Sequence, residues 1–238
     1  MQSGILYLIA TPIGNLEDIT LRALDTLRKV DLIAAEDTRH ALILLQRYEI
    51  RKPLISYFEE NENRRSQELL GKLLNGQTIA LITDAGTPLL SDPGFQIVRK
   101  AIDASIPVVP IPGPSSILTA LMASGLATDR FVFEGFLPRK KGRRTRLSEL
   151  ASEPRTMIFF ESPHRILKTL NDFLAIFGDR QAVCAREMTK IYEEFQRDLL
   201  SALIKHFEIH SPKGEFVIVV QGVERQSRHQ KTLLPESD

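Results

Sequence analysis

The residues best suited to chemistry stand where apolar runs end. The run Thr78 to Thr83 passes into Asp84-Ala85-Gly86-Thr87-Pro88-Leu89-Leu90-Ser91-Asp92-Pro93-Gly94, a turn dense in glycine, proline and aspartate. Gly86 and Gly94 allow positive φ and close approach of a bound molecule to the backbone, while Pro88 and Pro93 narrow the conformations between them. Thr11-Pro12-Ile13-Gly14-Asn15 follows a second run, Ile5 to Ala10, and Pro112-Gly113-Pro114-Ser115-Ser116 follows a third, Pro107 to Ile111. Any one of these reads equally well as an ordinary βα connection. All three together point to a ligand held at the C-terminal ends of strands, where open α/β sheets usually bind.

Charged groups occupy similar positions. Glu36-Asp37-Thr38-Arg39 follows the run Leu32 to Ala35. It either sets carboxylates and a guanidinium beside the glycine loops or starts a helix capped by Asp37 or Thr38; Arg39 also suits a phosphate clamp. Arg186-Glu187-Met188-Thr189-Lys190 ends another run, and Lys190 or Glu187 could assist proton removal beside an acceptor, the lysine only with a depressed pKa. The competing reading is a surface salt bridge. Arg139-Lys140-Lys141-Gly142-Arg143-Arg144-Thr145-Arg146 has no acidic residue and reads as an exposed basic loop running into a helix, suited to phosphates or simply solvated. Glu161-Ser162-Pro163-His164-Arg165 reads as a helix start, Ser162 capping and Pro163 in the first turn, with Arg165 a phosphate contact. Asp84 and Asp92 lack EF-hand spacing, and His206 and His210 lack the zincin pattern, so no metal is expected.

These positions need a scaffold of alternating strands and helices. Strands are predicted at Ile5 to Ala10, Leu32 to Ala35, Thr78 to Thr83 and Val108 to Ile111, then at Phe131 to Gly135, Met157 to Glu161, Ala182 to Arg186 and Phe216 to Gln221. Helices are predicted after a Thr20 cap, from about Glu62 to Leu74 with Asn75-Gly76 ending it, from Ser115 or Ser116 to Ser124-Gly125, and over Arg143 to Leu150, Pro163 to Phe177 and Asp198 to Phe207. The fold class is α/β, with a linker at Leu126-Ala127-Thr128-Asp129. It divides a first domain, 1–125, from a second, 126–222, and a polar tail, 223–238, reads as disordered.

The 238 residues suffice for ordinary cores, and the net charge of +1 argues against a nonspecific nucleic-acid coat. The single cysteine, Cys184, sits among Ala182, Val183 and Ala185 and reads as a core residue in a reducing compartment. No apolar run reaches the ~20 residues that cross a bilayer, so a cytoplasmic protein without a membrane partner is expected.

Together the motifs resemble the tetrapyrrole methylase superfamily. They are similar in particular to its branch that 2′-O-methylates a cytidine ribose in small-subunit ribosomal RNA. The resemblance rests on Thr11 to Leu16, Ala35 to Arg39, Asp84 to Pro88, Ser91 to Gly94 and Pro112 to Ser115, and continues through Gly135-Phe136-Leu137-Pro138, Phe160 to Arg165, Ala185 to Lys190 and Lys213-Gly214-Glu215-Phe216. It reaches about Gly222, beyond which some members carry a further helical segment.

The resemblance implies two α/β domains, the first a mostly parallel sheet with helices on both faces, the second a mixed sheet, and a cofactor cleft between them. It implies S-adenosyl-L-methionine held by Pro12, Gly14, Asp84, Ala85, Gly86, Leu89, Ser91, Asp92, Pro112, Gly113, Ser115, Ser116 and Gly214. Lys190, Glu187 and Asp37 are the candidate catalytic groups. Arg39, Arg139, Lys140, Lys141, Arg143, Arg144, Arg146 and Arg165 are candidate contacts to ribosomal RNA or the small subunit. A homodimer is expected. The competing readings are methylation of a tetrapyrrole-type small molecule and a noncatalytic RNA-binding role in ribosome assembly. No Gly-x-Gly-x-x-Gly or P-loop is present, and Gly113-Pro114-Ser115-Ser116-Ile117 lacks the second glycine of a nucleophile elbow.

Overall fold

Short apolar runs without polar alternation belong to strands covered on both faces, and the first half of the chain folds that way. The computed structural model describes residues 3–223. Strands β1 (Leu6–Ile9), β2 (Leu32–Ala35), β3 (Leu54–Ser56), β4 (Ile79–Ile82) and β5 (Val108–Ile111) form one sheet in the order β3-β2-β4-β1-β5. Every neighbouring pair in it is parallel. Helices α1 (Leu21–Lys29) and α2 (Thr38–Arg47) cover one face, where Leu24, Leu27 and Leu45 meet Ile9, Ile33 and Ile82. Helices α3 (Glu62–Leu74) and α4 (Phe95–Asp103) cover the other, where Leu69, Leu73 and Ile97 meet Leu6, Ile79 and Leu81. The neighbours β1 and β4 thus send their crossovers to opposite faces, which opens a crevice at their carboxyl ends. Helix α5 (Ser116–Met122) follows β5.

The second half contains β6 (Phe131–Phe136), α6 (Arg143–Leu150), β7 (Thr156–Glu161), α7 (Ile166–Phe177), β8 (Gln181–Arg186), β9 (Glu194–Leu199), α8 (Leu200–Ile209) and β10 (Phe216–Val220). Its sheet runs β6-β7-β10-β8-β9 and is mixed: β6 is parallel to β7, and β10 is antiparallel to both β7 and β8. Met157, Phe159, Cys184 and Ile218 on one face pack under Leu147, Phe173 and Phe207 of the three helices.

By their packing, residues 3–120 join Glu187–Glu194 in one unit, and Leu121–Arg186 join residues 195–223 in another. The sequence boundary at Leu126 to Asp129 lies a few residues later and leaves 187–194 with the second half. Residues 224–238, nearly all of the expected polar tail, lie outside the described residues. Among the described residues no helix is long and apolar enough to cross a membrane.

The predicted helix bounds hold where local chemistry sets them. Thr20 Oγ1 accepts the Ala23 N–H at 3.1 Å to cap α1, and Gly76, at φ 86°, follows α3. Two strands escape the sequence reading, the three-residue β3 and β9, whose C-terminal half is exposed. Helix α8 accordingly starts at Leu200 rather than Asp198, and α7 at Ile166 rather than Pro163, because Arg165 N–H first closes a turn on the Ser162 carbonyl at 3.0 Å.

One arginine of the basic run lies inside the second unit. Arg143 is 6% exposed. It shares a helix face with Leu147 and Leu150, at the i, i+4, i+7 spacing of a buried stripe. Its Nε meets Asp172 Oδ2 at 2.8 Å and its Nη2 donates to Thr169 Oγ1 at 2.8 Å. Thr169 in turn donates to Glu161 Oε2 at 2.5 Å. The Asp172 side chain keeps 33% exposure, so breaking this pair should cost about 3 kcal/mol, the lower end for buried pairs. Urea unfolding should show that loss for Arg143→Ala and a change within about 0.5 kcal/mol for the exposed neighbour in Arg144→Ala; equal effects would contradict the assignment.

Candidate functional site

The three glycine and proline loops leave adjacent strands, since β4, β1 and β5 are neighbours in the sheet. They are also bonded to one another. Thr11 N–H donates to the Gly86 carbonyl and Gly86 N–H to the Thr11 carbonyl, each at 2.9 Å. Thr11 Oγ1 donates to the Thr83 carbonyl at 3.0 Å, and Thr87 Oγ1 to the Pro114 carbonyl at 3.2 Å. Gly86 stands at φ 82° and Gly94 at φ 140°. Leu89 and Ser91 adopt φ of 73° and 71° without being glycine. That left-handed backbone costs roughly 1–2 kcal/mol per residue, and such strain concentrates at ligand sites.

A carboxylate cluster lies behind the second loop. Thr83 Oγ1 is 2.7 Å from Glu36 Oε2 and 2.8 Å from Asp92 Oδ2. One hydroxyl proton satisfies only one acceptor. The other carboxyl meets Thr83 favourably only when it carries its own proton. Burial pushes Asp92 up to about 6, against the hydrogen bond from Thr83 and with repulsion from Glu36 and Asp84 adding to it. Burial therefore favours a proton on Asp92 below about pH 6. Asp84, exposed at the loop's start, accepts the Asp37 N–H at 3.0 Å and lies 3.1 Å from His40 Nδ1.

The segment 187–193 completes the first unit's edge. Asn15 N–H donates to Thr189 Oγ1 at 3.0 Å across 174 positions of sequence. A Cβ on Gly14 would stand 2.5 Å from Lys190 Cγ and 2.9 Å from the Met188 carbonyl oxygen, so only glycine allows this approach. Glu187 and Thr189 hold φ of 49° and 66°, a second strained pair. Gly14, Asn15, Arg47, Thr189, Lys190 and Tyr192 help line an open hollow of about 580 Å³.

The candidate cofactor residues from Pro12 to Ser116 thus share one edge of the first sheet. Gly214, at φ 80° before β10, belongs to the second unit. Of the candidate catalytic groups, Lys190 Nζ and Glu187 Oε1 pair at 3.0 Å. Asp37 caps α2 through the Arg39 N–H at 2.8 Å, and its carboxylate grips the Arg39 guanidinium. That side-chain bond, helped by the backbone one, holds Asp37 far below the usual carboxylate range. Asp37 is thus engaged by Arg39 at the start of α2.

The basic candidates divide. Arg139, Lys140, Lys141 and Arg144 are exposed. Arg143 is interior, which corrects its reading as an RNA contact. Arg146 forks onto Glu134 at 2.7 Å through both Nε and Nη2, and that ion pair raises its pKa further. Arg165 is bound to Glu161 at 3.4 Å and to the Leu137 carbonyl at 2.8 Å. Arg39 is exposed but gripped by Asp37. These three are committed to protein partners rather than presented as open cations. The sequence marked Glu36 only as a carboxylate beside the glycine loops and did not single out Thr11, Thr83, Asn15 and Thr189 as framework. Their signal was only their position beside strand ends.

The family model described as Tetrapyrrole (Corrin/Porphyrin) Methylases matches residues 5–204. The chain belongs to this family, and is a methyltransferase. Within it, the chain is 53% identical over 227 residues to the ribosomal RNA small subunit methyltransferase I of Synechocystis sp., covering 94% of this chain and 81% of that protein. It is 50% identical over 221 residues to the protein of the same name from Thermotoga maritima, covering 93% of this chain and 100% of that one. Among solved structures, diphthine synthase aligns with a TM-score of 0.70 at 17% identity, covering 92% of this chain and 90% of that one. Uroporphyrin-III C-methyl transferase from Thermus thermophilus, complexed with S-adenyl homocysteine, aligns with a TM-score of 0.66 at 18% identity, covering 91% and 97%. At these identities the structures share the fold.

Two outcomes test the geometry. Gly14→Ala should cost about 1–3 kcal/mol in chemical unfolding and speed amide exchange at Asn15 and Thr189; unchanged exchange would dissociate Gly14 from this docking. Asp92, raised from its ordinary 3.8, binds its proton more tightly folded than unfolded, so its contribution to stability falls as pH rises from about 4 to about 6 and is level above. Asp92→Asn imitates the protonated form. The stability difference, variant minus parent, should grow in the variant's favour across that window in thermal melts, and a constant difference would refute the shared proton.

Proposed function

We propose that this chain transfers the methyl group of S-adenosyl-L-methionine to the 2′-oxygen of a cytidine ribose in the small-subunit ribosomal RNA. The observation that carries the proposal is the half identity sustained across the whole length of the Thermotoga ribosomal RNA small subunit methyltransferase I. Likeness over one domain alone would support only a shared fold.

The residues present suit the cofactor. Exposed Ala85 and Gly113 leave backbone uncovered at the strand ends, and the neighbouring Glu36 and Asp84 favour a cationic guest. Pro12, Gly14, Ala85, Gly86, Leu89, Ser91, Pro112, Gly113, Ser115 and Ser116 would hold it, with Asp84 toward its polar part. When bound, the cofactor supplies an electrophilic methyl on a sulfonium, already a good leaving group. The ribose hydroxyl that would take this methyl must give up its proton, and side chains of this chain would receive it.

Positioning supplies most of the acceleration in such a step. Glu187 is the carboxylate that receives the proton in this reading, while Asp37 holds Arg39. The Lys190 ammonium, paired with Glu187, is a donor that steadies charge on oxygen. Arg139, Lys140, Lys141 and Arg144 form the phosphate-contacting set in this reading. The reaction belongs in the cytoplasm with the ribosomal subunits, and assembly as a homodimer is part of the same proposal.

Incubation with labelled S-adenosyl-L-methionine and small subunits lacking modification, then nuclease digestion and mass spectrometry, should place label on a cytidine ribose. Label on a base, or none with intact subunits and measurable cofactor binding, would overturn the reading in favour of a tetrapyrrole substrate or a noncatalytic role. The triple variant Lys140→Ala, Lys141→Ala and Arg144→Ala should bind RNA more weakly and reduce the slope of log affinity against log salt by about 2–3, with cofactor affinity unchanged. An unaltered slope would remove these residues from the RNA surface.

A further inference from the structure

The strand that leads into the basic loop carries an irregularity with a chemical consequence. In β6 the register against β7 runs Phe131 to Thr156, Val132 to Met157 and Phe133 to Ile158, then resumes at Gly135 with Phe159 and Phe136 with Phe160. Glu134 is the extra residue. It is held there by the forked Arg146 guanidinium, and Gly135 beside it takes φ 61°. Side chains normally alternate faces along a strand, and a one-residue bulge reverses that alternation beyond it.

Without the bulge, Phe136 would fall on the face of Met157 and Phe159, which pack under the helices. With it, Phe136 lies on the opposite face, level with Phe160 at 5.5 Å between ring centroids, while Phe133 meets Phe160 at 5.0 Å. The three rings form a ladder whose outermost member, Phe136, is 56% exposed. Bulges that re-aim a side chain are common beside functional sites. The bulge thus presents a ring, backed by Phe160 and Phe133, whose open face another ring can stack on.

The surroundings say which partner. Arg139, Lys140 and Lys141 follow within three to five residues and are all exposed, and three residues of chain span at most about 11 Å. Their carbonyl-side anchor is rigid, because Arg165 holds the Leu137 carbonyl and Arg143 reaches the Pro138 carbonyl. A fixed ring beside a fixed cationic loop matches the stacking platform and backbone-tracking charge of single-stranded nucleic-acid sites.

We propose that Phe136 is a stacking platform for an unpaired RNA base, with Arg139, Lys140 and Lys141 on the flanking phosphates. This rests on the reading of the substrate as RNA and adds where on the chain an unpaired nucleotide is gripped. Glu134 and Arg146 are positioning residues for it, acting through the bulge.

The test compares the full-length parent with Phe136→Ala and Phe136→Trp. The readouts are KM for unmodified small subunits, affinity for a single-stranded oligocytidine RNA at several salt concentrations, and affinity for S-adenosylhomocysteine. Phe136→Ala should weaken RNA binding on the order of 10-fold or more, the size of a lost base stack. The loss should be equal at every salt concentration, because stacking releases no counterions, and S-adenosylhomocysteine affinity should not move. Phe136→Trp should retain parental affinity, which a merely structural role for the ring would not allow. Unchanged RNA affinity in Phe136→Ala overturns the inference and leaves the RNA reading intact, provided the parent binds and methylates subunits. A parent that does neither overturns both. Loss of a dimer in Phe136→Ala by light scattering, with KM unchanged, would assign the ring to contacts between copies of the chain and also overturn it.

Discussion

The reciprocal pair of backbone hydrogen bonds between Thr11 and Gly86 is the constraint on which the first unit's edge depends. Parallel strands do not of themselves tie together the loops that leave them. Here the chains leaving β1 and β4 turn toward one another and bond just past the sheet, and Thr11 adds its hydroxyl to the Thr83 carbonyl. From this pin, Gly14 and Asn15 fall where Lys190 and Thr189 can reach them, and Thr87 reaches the third loop at Pro114. Each such bond contributes about 0.5–1.5 kcal/mol net, the same order as the strain at Leu89 or Ser91. The loop holds its unusual backbone because several bonds act together, and losing one would leave little margin.

The second unit solves a different problem, that of presenting charge at a defined place. A basic run left to itself would be a solvated, mobile patch. Its first helical arginine is instead driven into the interior, where Asp172 and Thr169 satisfy it and Thr169 passes the connection to Glu161. Arg146 fixes the bulged Glu134. Two of the six basic residues in the run, Arg143 and Arg146, therefore hold the other four, and the ring before them, in position.

Much of this was legible in the sequence. The buried strands announce themselves as apolar runs bounded by turn residues, and caps such as Thr20 or Asn75-Gly76 act through local bonds that neighbours in sequence determine. The glycine loops were found because the backbone they require favours glycine and proline. What escaped depends on distant partners. The strand β3 is too short to show a pattern, and β9 presents exposed residues at its far end. Asn15 and Thr189 lie 174 positions apart, so the docking of 187–193 on the first loop left no local trace. Arg143 did leave one, the spacing to Leu147 and Leu150, but a charge in a run of charges masks its place in the stripe.

The central claim is that the bonded loops of β1, β4 and β5 receive the cofactor of methyl transfer. Amide hydrogen exchange of the full chain with and without S-adenosylhomocysteine tests it most directly. The account predicts slowed exchange at Ile13 to Asn15, at Ala85 to Gly94 and at Gly113 to Ser116, with α8 unaffected. Saturating binding that leaves those three segments unprotected would contradict it.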